Sequence, residues 1–195
     1  MAGVDMFTIR VRGIGGHGAM PHETIDPVVL AAKIVVNLQT LVSRELSPVQ
    51  SGVVTVGAIH GGTVGNIILS EVVLQGTVRS FAEDSRTLLL EGIARTCRGT
   101  AMAAGVPDSL LPVVSIQPTH VPALYNDPDL TARIQAVLTD TLGAERVVEV
   151  PKETIGEDFS LYGSALPDVP SCMLRLGTYT PGEKDTDQPG LHSPY

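Results

Sequence analysis

The sequence predicts an α+β fold, on three observations. Four stretches read as short strands, two longer ones carry an apolar stripe at helical spacing, and the six follow one another as β-α-β-β-α-β. In the first strand, "FTIRVRG" (7–13), Phe7, Ile9 and Val11 face one side and Thr8, Arg10 and Arg12 the other. After the loop "GIGGHGAMPHETIDP" (13–27), Asp26-Pro27 supplies a helix N-cap and a proline at the first helical position. Ala31, Ile34, Val35, Leu38, Leu41 and Val42 then form the buried stripe of a helix that ends near Pro48. "GVVTVGAIHGG" (52–62) reads as the second strand. "EVVLQGTVRSF" (71–81) reads as the third, with Val72, Leu74 and Val78 opposite Gln75, Thr77 and Arg79.

A second helix is predicted to open near Asp84 or Ser85. It buries Leu89, Leu90, Ile93, Ala94, Cys97 and Ala101, and stops at Gly105 ahead of Pro107. "LPVVSIQP" (111–118) is the fourth strand. This order is the split βαβ, ferredoxin-like plan, an antiparallel sheet with both helices on one face, here spanning 5–119. A boundary falls in the proline-rich "PTHVPALYNDPD" (118–129). Beyond it, Asp127-Pro128 opens a third helix whose buried stripe is Leu130, Ile134, Val137 and Leu138, ending at Gly143. "RVVEV" and "SCMLRLG" read as short buried strands around "TIGEDFSLYG". Residues 123–195 hold too few elements for a self-sufficient domain, and read as part of something larger.

Composition narrows the function. The chain is 43% apolar, enough for a packed core, and no run reaches about 18 consecutive apolar residues. A formal charge of -8 argues against nucleic acid or anionic lipid as partner, since both need a concentrated basic surface. Trp is absent and aromatics are few, so base-stacking platforms are not expected. Cys97 and Cys172 lie far apart and fit buried thiols in a reducing compartment. With no signal peptide visible, a cytoplasmic setting is expected.

Candidate chemistry begins with the histidine loop. His17 and His22 supply at most two metal ligands, whereas a catalytic zinc site takes about three protein ligands plus an open position. Glu23 and Asp26 are the nearby acids, and Asp26 is better used as a cap. Two readings stay open: a polar connection with solvated histidines, or a glycine-flanked imidazole that donates a hydrogen bond to a developing oxyanion. Asn66, after a glycine-rich turn, and Arg79, on the face opposite the core, suit orientation of an amide and clamping of a carboxylate; they equally suit a turn and a solvated surface. Glu157 and Asp158 either cap a helix or line a site. His192 is a lone histidine in a Gly/Pro loop.

Taken together, "FTIRVRGIGGHGAMPHETIDPVVLAAKIVVNLQTLVSRELSP", "VVTVGAIHGGTVGNIILSEVVLQGTVRSF", "IGEDFSLY" and "LGT" followed by "LHSPY" resemble the M20 metallopeptidase and amidohydrolase family, in its hippurate hydrolase and indole-acetyl-amino-acid hydrolase branch. The resemblance covers essentially the whole chain. It implies a ferredoxin-like dimerisation domain joined to the C-terminal part of an α/β di-metal hydrolase domain, 123–195. It implies that His17 stabilises the tetrahedral intermediate in the neighbouring subunit's site. Asn66 and Arg79 would hold the substrate amide and carboxylate, also across the dimer, and His22 would support the site edge. His192 matches the family's last metal ligand, and Glu157 would sit behind the metal ligands.

The implied activity is hydrolysis of a small-molecule N-acyl amino acid by a homodimer, with two divalent ions (zinc, manganese or cobalt) in the intact enzyme. The departures limit this chain. The family's Cys-Gly-His-Asp stretch and Glu-Glu pair are both absent: Cys97 precedes Arg98, Cys172 precedes Met173, and no two glutamates adjoin. "NIILSE" stands where Asn-Val-Ile-Pro-Asp is usual, a change expected to alter a loop. The chain is therefore expected to be a fragment, inactive alone and holding no metal stably. The alternative is a non-catalytic ferredoxin-like module that only self-associates.

Overall fold

A computed structural model describes residues 1–177 of the chain. Its core is one four-stranded antiparallel sheet formed by β1 (Gly3–Arg12), β3 (Gly52–His60), β5 (Glu71–Ser80) and β6 (Val113–Ile116) in the order β3-β5-β1-β6, with the short strands β2 (Gly16–His17) and β4 (Ile67–Ile68) paired apart from it. Helices α1 (Pro27–Thr40) and α2 (Glu83–Ala103) cover one face, as the ferredoxin-like plan requires. The reason lies in the alternation: Phe7, Ile9 and Val11 from β1 and Val72, Leu74 and Val78 from β5 are buried on that side. Against them α1 sets Ile34 and Leu38, and α2 sets Leu89, Ile93, Cys97 and Ala101. Each such aliphatic side chain contributes about 1.5–3 kcal/mol by leaving water.

Asp26 caps α1 as expected, its Oδ1 accepting from the amides of Val28 at 2.8 Å and Val29 at 3.3 Å. The helix then widens into one π turn, Leu41–Glu45, closed by the Leu46 amide donating to the Leu41 carbonyl at 2.8 Å. By length and composition Pro27–Glu45 suffices to cross a membrane. Its apolar stripe is instead used in the core, where Ile34, Leu38 and Leu41 are wholly buried. Cys97 and Cys172 are unpaired; the first is buried, which pushes its thiol up to about 12, and the second is half-buried.

Several expectations need correction. β1 starts four residues earlier than its alternation suggested, because Asp5 occupies a core-facing position. That carboxylate is buried and held by the Arg86 guanidinium, with Nε to Oδ2 at 2.8 Å and Nη2 to Oδ1 at 2.7 Å. Helix α2 opens at Glu83, without a side-chain cap on Ala82. Leu90 is half-buried and Ala94 exposed, because the buried stripe runs through Ser85, Leu89, Gly92 and Ile93 instead. Helix α3 (Pro128–Leu142) forms where predicted, with the Asp127 carboxylate accepting from the Leu130 amide, yet none of its residues is buried and Val137 is 65% exposed. "RVVEV" and "SCMLRLG" form no strands: among the described residues no neighbouring strand offers a ladder, and Val148, Val150, Leu174 and Leu176 stay exposed. Between them runs only the short helix α4 (Ser160–Ala165).

The second segment joins the sheet through the chain entering and leaving it. Val4 and Val121 exchange backbone hydrogen bonds, Ala2 N–H donates to the Glu153 carbonyl at 3.0 Å, and Leu124 N–H donates to the Met1 carbonyl at 3.0 Å.

Candidate functional site

The histidine loop is more ordered than its glycines suggested. Ile14 and Ile25 exchange two backbone hydrogen bonds of 3.0 Å and close its base. Above that base, Gly16–His17 (β2) pairs antiparallel with Ile67–Ile68 (β4), setting His17 opposite Ile67. Gly13 N–H donates to the Ser70 carbonyl at 2.8 Å, so the ladder between β1 and β5 runs on into this ribbon. Gly18 N–H donates to the Asn66 carbonyl at 2.8 Å, and a Cβ on Gly18 would lie 3.0 Å from that oxygen. Glycine is needed there because backbone meets backbone. The ribbon thus brings His17 and Asn66 together at one end of the sheet, both exposed.

The His17 ring is itself held, its Nδ1 accepting from the Ala19 amide at 3.0 Å. His22 lies exposed on the short 3-10 turn Pro21–Glu23, with no side-chain hydrogen bond among the described residues.

Arg79 stands at the opposite end. It pairs with Val4, while Glu71, at the other end of β5, pairs with Arg12. Eight residues of strand separate the two pairs, roughly 26 Å at about 3.3 Å per residue, and His17 lies farther out still. Within one copy the strand therefore holds Arg79 and Asn66 apart. Arg79 instead packs against the second segment, its Nη1 being 3.2 Å from where a Gly156 Cβ would stand. Glu157 follows directly and accepts from the Phe159 amide at 3.4 Å, a contact within the turn ahead of α4 and not a cap of that helix. His192 lies outside the described residues.

No group of three or more His, Cys, Asp or Glu side chains converges among the described residues. They do not by themselves fit a catalytic metal, which needs about three protein ligands, and no chemical step is routed through one here. A cavity of about 440 Å³ between the 123–128 linker and α4 is lined by Asn126, Asp127, Ser160 and Ser171 among others. Asp127 is occupied as the α3 cap, and neither His17 nor Arg79 reaches this space. The strongly shifted groups also lie elsewhere: hydrogen bonding to Asp5 raises the Arg86 guanidinium further above its usual range, and Cys97 is in the core.

Residues 2–102 match the peptidase dimerisation domain of the M20 family. The chain belongs to this family. As an M20 chain it is 36% identical to an N-acetyldiaminopimelate deacetylase of Leuconostoc citreum, over 90% of its own length and 43% of that protein's. It is 35% identical to an IAA-amino acid hydrolase of Arabidopsis thaliana, over 86% of its length and 38% of that protein's. Among solved structures it resembles a dinuclear metal-binding M20 peptidase of Bacillus subtilis, with 26% identity and a TM-score of 0.62, covering 85% of this chain and 38% of the other. The chain thus spans about two fifths of the length of the curated M20 relatives it matches.

The sequence located His17, Asn66 and Arg79 singly. The β2–β4 ribbon escaped it, because two-residue strands carry no period. The one available signal was the spacing of glycines on both sides, Gly13 to Gly18 and Gly61 to Gly65.

Proposed function

We propose that this chain is the dimerisation domain and adjoining catalytic-domain segment of a metal-dependent amidohydrolase that cleaves N-acyl amino acids, with each site shared between two copies. The observation that carries the reading is the strand of roughly 26 Å from Glu71 to Arg79, which keeps Arg79 and Glu157 at one end of the sheet while His17 and Asn66 lie beyond the other. One site can use all of them only if one copy supplies the first pair and its partner the second. Two copies related by a two-fold axis do this with two equivalent sites.

In such a site the exposed His17 imidazole donates a hydrogen bond to the oxyanion that forms as the amide carbonyl becomes tetrahedral. The Asn66 amide orients the scissile amide, and the Arg79 fork, at the junction with the second segment, clamps the substrate's free carboxylate. The deacetylase and amino-acid conjugate hydrolase among the relatives support an acyl-amide substrate beside a carboxylate. Metal dependence is inferred from the dinuclear relative. This chain carries neither Cys-Gly-His-Asp nor Glu-Glu, and an α3 with no fully buried residue and a largely exposed 147–176 region fit an incomplete catalytic domain. Alone, it is inactive.

The test is complementation in the intact protein encoded by the complete reading frame. His17→Ala and Arg79→Ala proteins are each expected to release almost no amino acid from N-acyl substrates. Mixed and re-associated, they should regain about a quarter of wild-type activity, since random pairing makes half the dimers mixed and leaves each with one whole site. No recovery would refute the shared site. An intact protein that neither hydrolyses such amides nor binds stoichiometric zinc, manganese or cobalt would leave only the self-association module.

A further inference from the structure

We propose that the Ala19 backbone amide is a positioning group for His17, fixing the imidazole proton on Nε2 and aiming that nitrogen outward as the site's hydrogen-bond donor. The catalytic consequence rests on the functional reading above; the assignment of the proton does not.

Three consecutive amides each have a partner of their own. Gly18 N–H donates to the Asn66 carbonyl at 2.8 Å, Ala19 N–H to His17 Nδ1 at 3.0 Å, and Met20 N–H to the His17 carbonyl at 2.8 Å. The first bond ties the turn to the opposite strand, the third closes the turn, and the middle one reaches the ring. A backbone amide only donates, so Nδ1 must present a lone pair, and a neutral imidazole that accepts at Nδ1 carries its proton on Nε2. The bond also holds the ring against the turn. Because His17 is exposed, surrounding packing does little to restrict that ring, and the backbone supplies the restraint instead. An oxyanion donor must point at its target before charge develops, and an unrestrained ring would lose that advantage. The arrangement also explains a glycine beside the histidine: a side chain at Gly18 would press on Asn66 and displace the turn that delivers the Ala19 amide.

The direct test is nuclear magnetic resonance of the 15N-labelled chain, kept above the ordinary imidazole titration range. His17 Nδ1 should resonate as the unprotonated nitrogen and show a nitrogen–nitrogen coupling across the hydrogen bond to Ala19. Absence of that coupling, or a protonated Nδ1, overturns the proposal whatever the activity of the intact protein. The second arm is Ala19→Pro in the intact protein, which removes the donor while keeping His17. The coupling should vanish and kcat fall about tenfold with little change in KM, against a loss of a hundredfold or more for His17→Ala. Unchanged kcat in Ala19→Pro overturns the positioning role. If the coupling is present but the intact wild-type protein hydrolyses no N-acyl amino acid, the functional reading fails and the catalytic consequence falls with it, while the proton assignment stands.

Discussion

Replacing Arg86 with methionine isolates the cost of a buried carboxylate. Asp5 faces the helices from β1 with a side chain 1% exposed, and Arg86 takes both its oxygens at 2.7 and 2.8 Å. Removing one partner of such a pair costs about 3–5 kcal/mol, because the remaining charge keeps its desolvation penalty and loses its compensation. Arg86 is itself 24% exposed, so water can reach part of the vacated space, which places the expectation near the lower bound, about 3 kcal/mol. Its second bond, to Glu83, adds little, since Glu83 is 71% exposed. Equilibrium urea unfolding followed by far-ultraviolet circular dichroism measures the difference. A second chain with Asp5→Leu and Arg86→Met should recover most of the loss, because neither charge is then left buried. A loss under about 1 kcal/mol for Arg86→Met, or a double variant no more stable than the single, would refute the reasoning.

Two further outcomes follow from the core and the loop. The Cys97 thiol sits near 12 in the folded chain against an ordinary 9.0, so between those values the unfolded chain loses a proton that the folded chain keeps. Stability should then fall as pH rises, by about 1.4 kcal/mol per pH unit from this group. Urea unfolding at about pH 8 and pH 10.5, under reductant, should show wild type losing about 2 kcal/mol more than Cys97→Ala over that interval. Gly13→Ala would put a Cβ 2.1 Å from the Ile25 carbonyl oxygen and 2.7 Å from Pro27 Cδ. Hydrogen exchange should show the Ile14 and Ile25 amides losing protection while those at the centre of β1 and β5 keep it. Activity of the intact protein should drop more than about tenfold as His17 is displaced.

Helix α1 was legible from its Asp-Pro start and its apolar stripe, and β5 from its alternation, because both patterns report burial on one face. The same logic failed for α3. Its stripe is as regular as that of α1, but Leu130, Ile134 and Leu138 are only half-buried and Val137 is exposed, so a helical period marked an apolar face without fixing how far the fold covers it. Asp5 defeated the pattern differently. A charge at a core position reads as a strand end until the Arg86 that neutralises it, 81 residues away, is seen in place.

By itself the sequence determined the six-element plan, the Asp26 and Asp127 caps, and the residue types available for chemistry, because each depends on neighbours within a few positions. Only the tertiary structure decided how those residues are grouped. Strand register joined His17 to Asn66 through a ribbon too short to carry a pattern, and the length of β5 carried Arg79 to the far end of the sheet. Register and strand length are set by long-range pairing, which no local stretch of residues encodes.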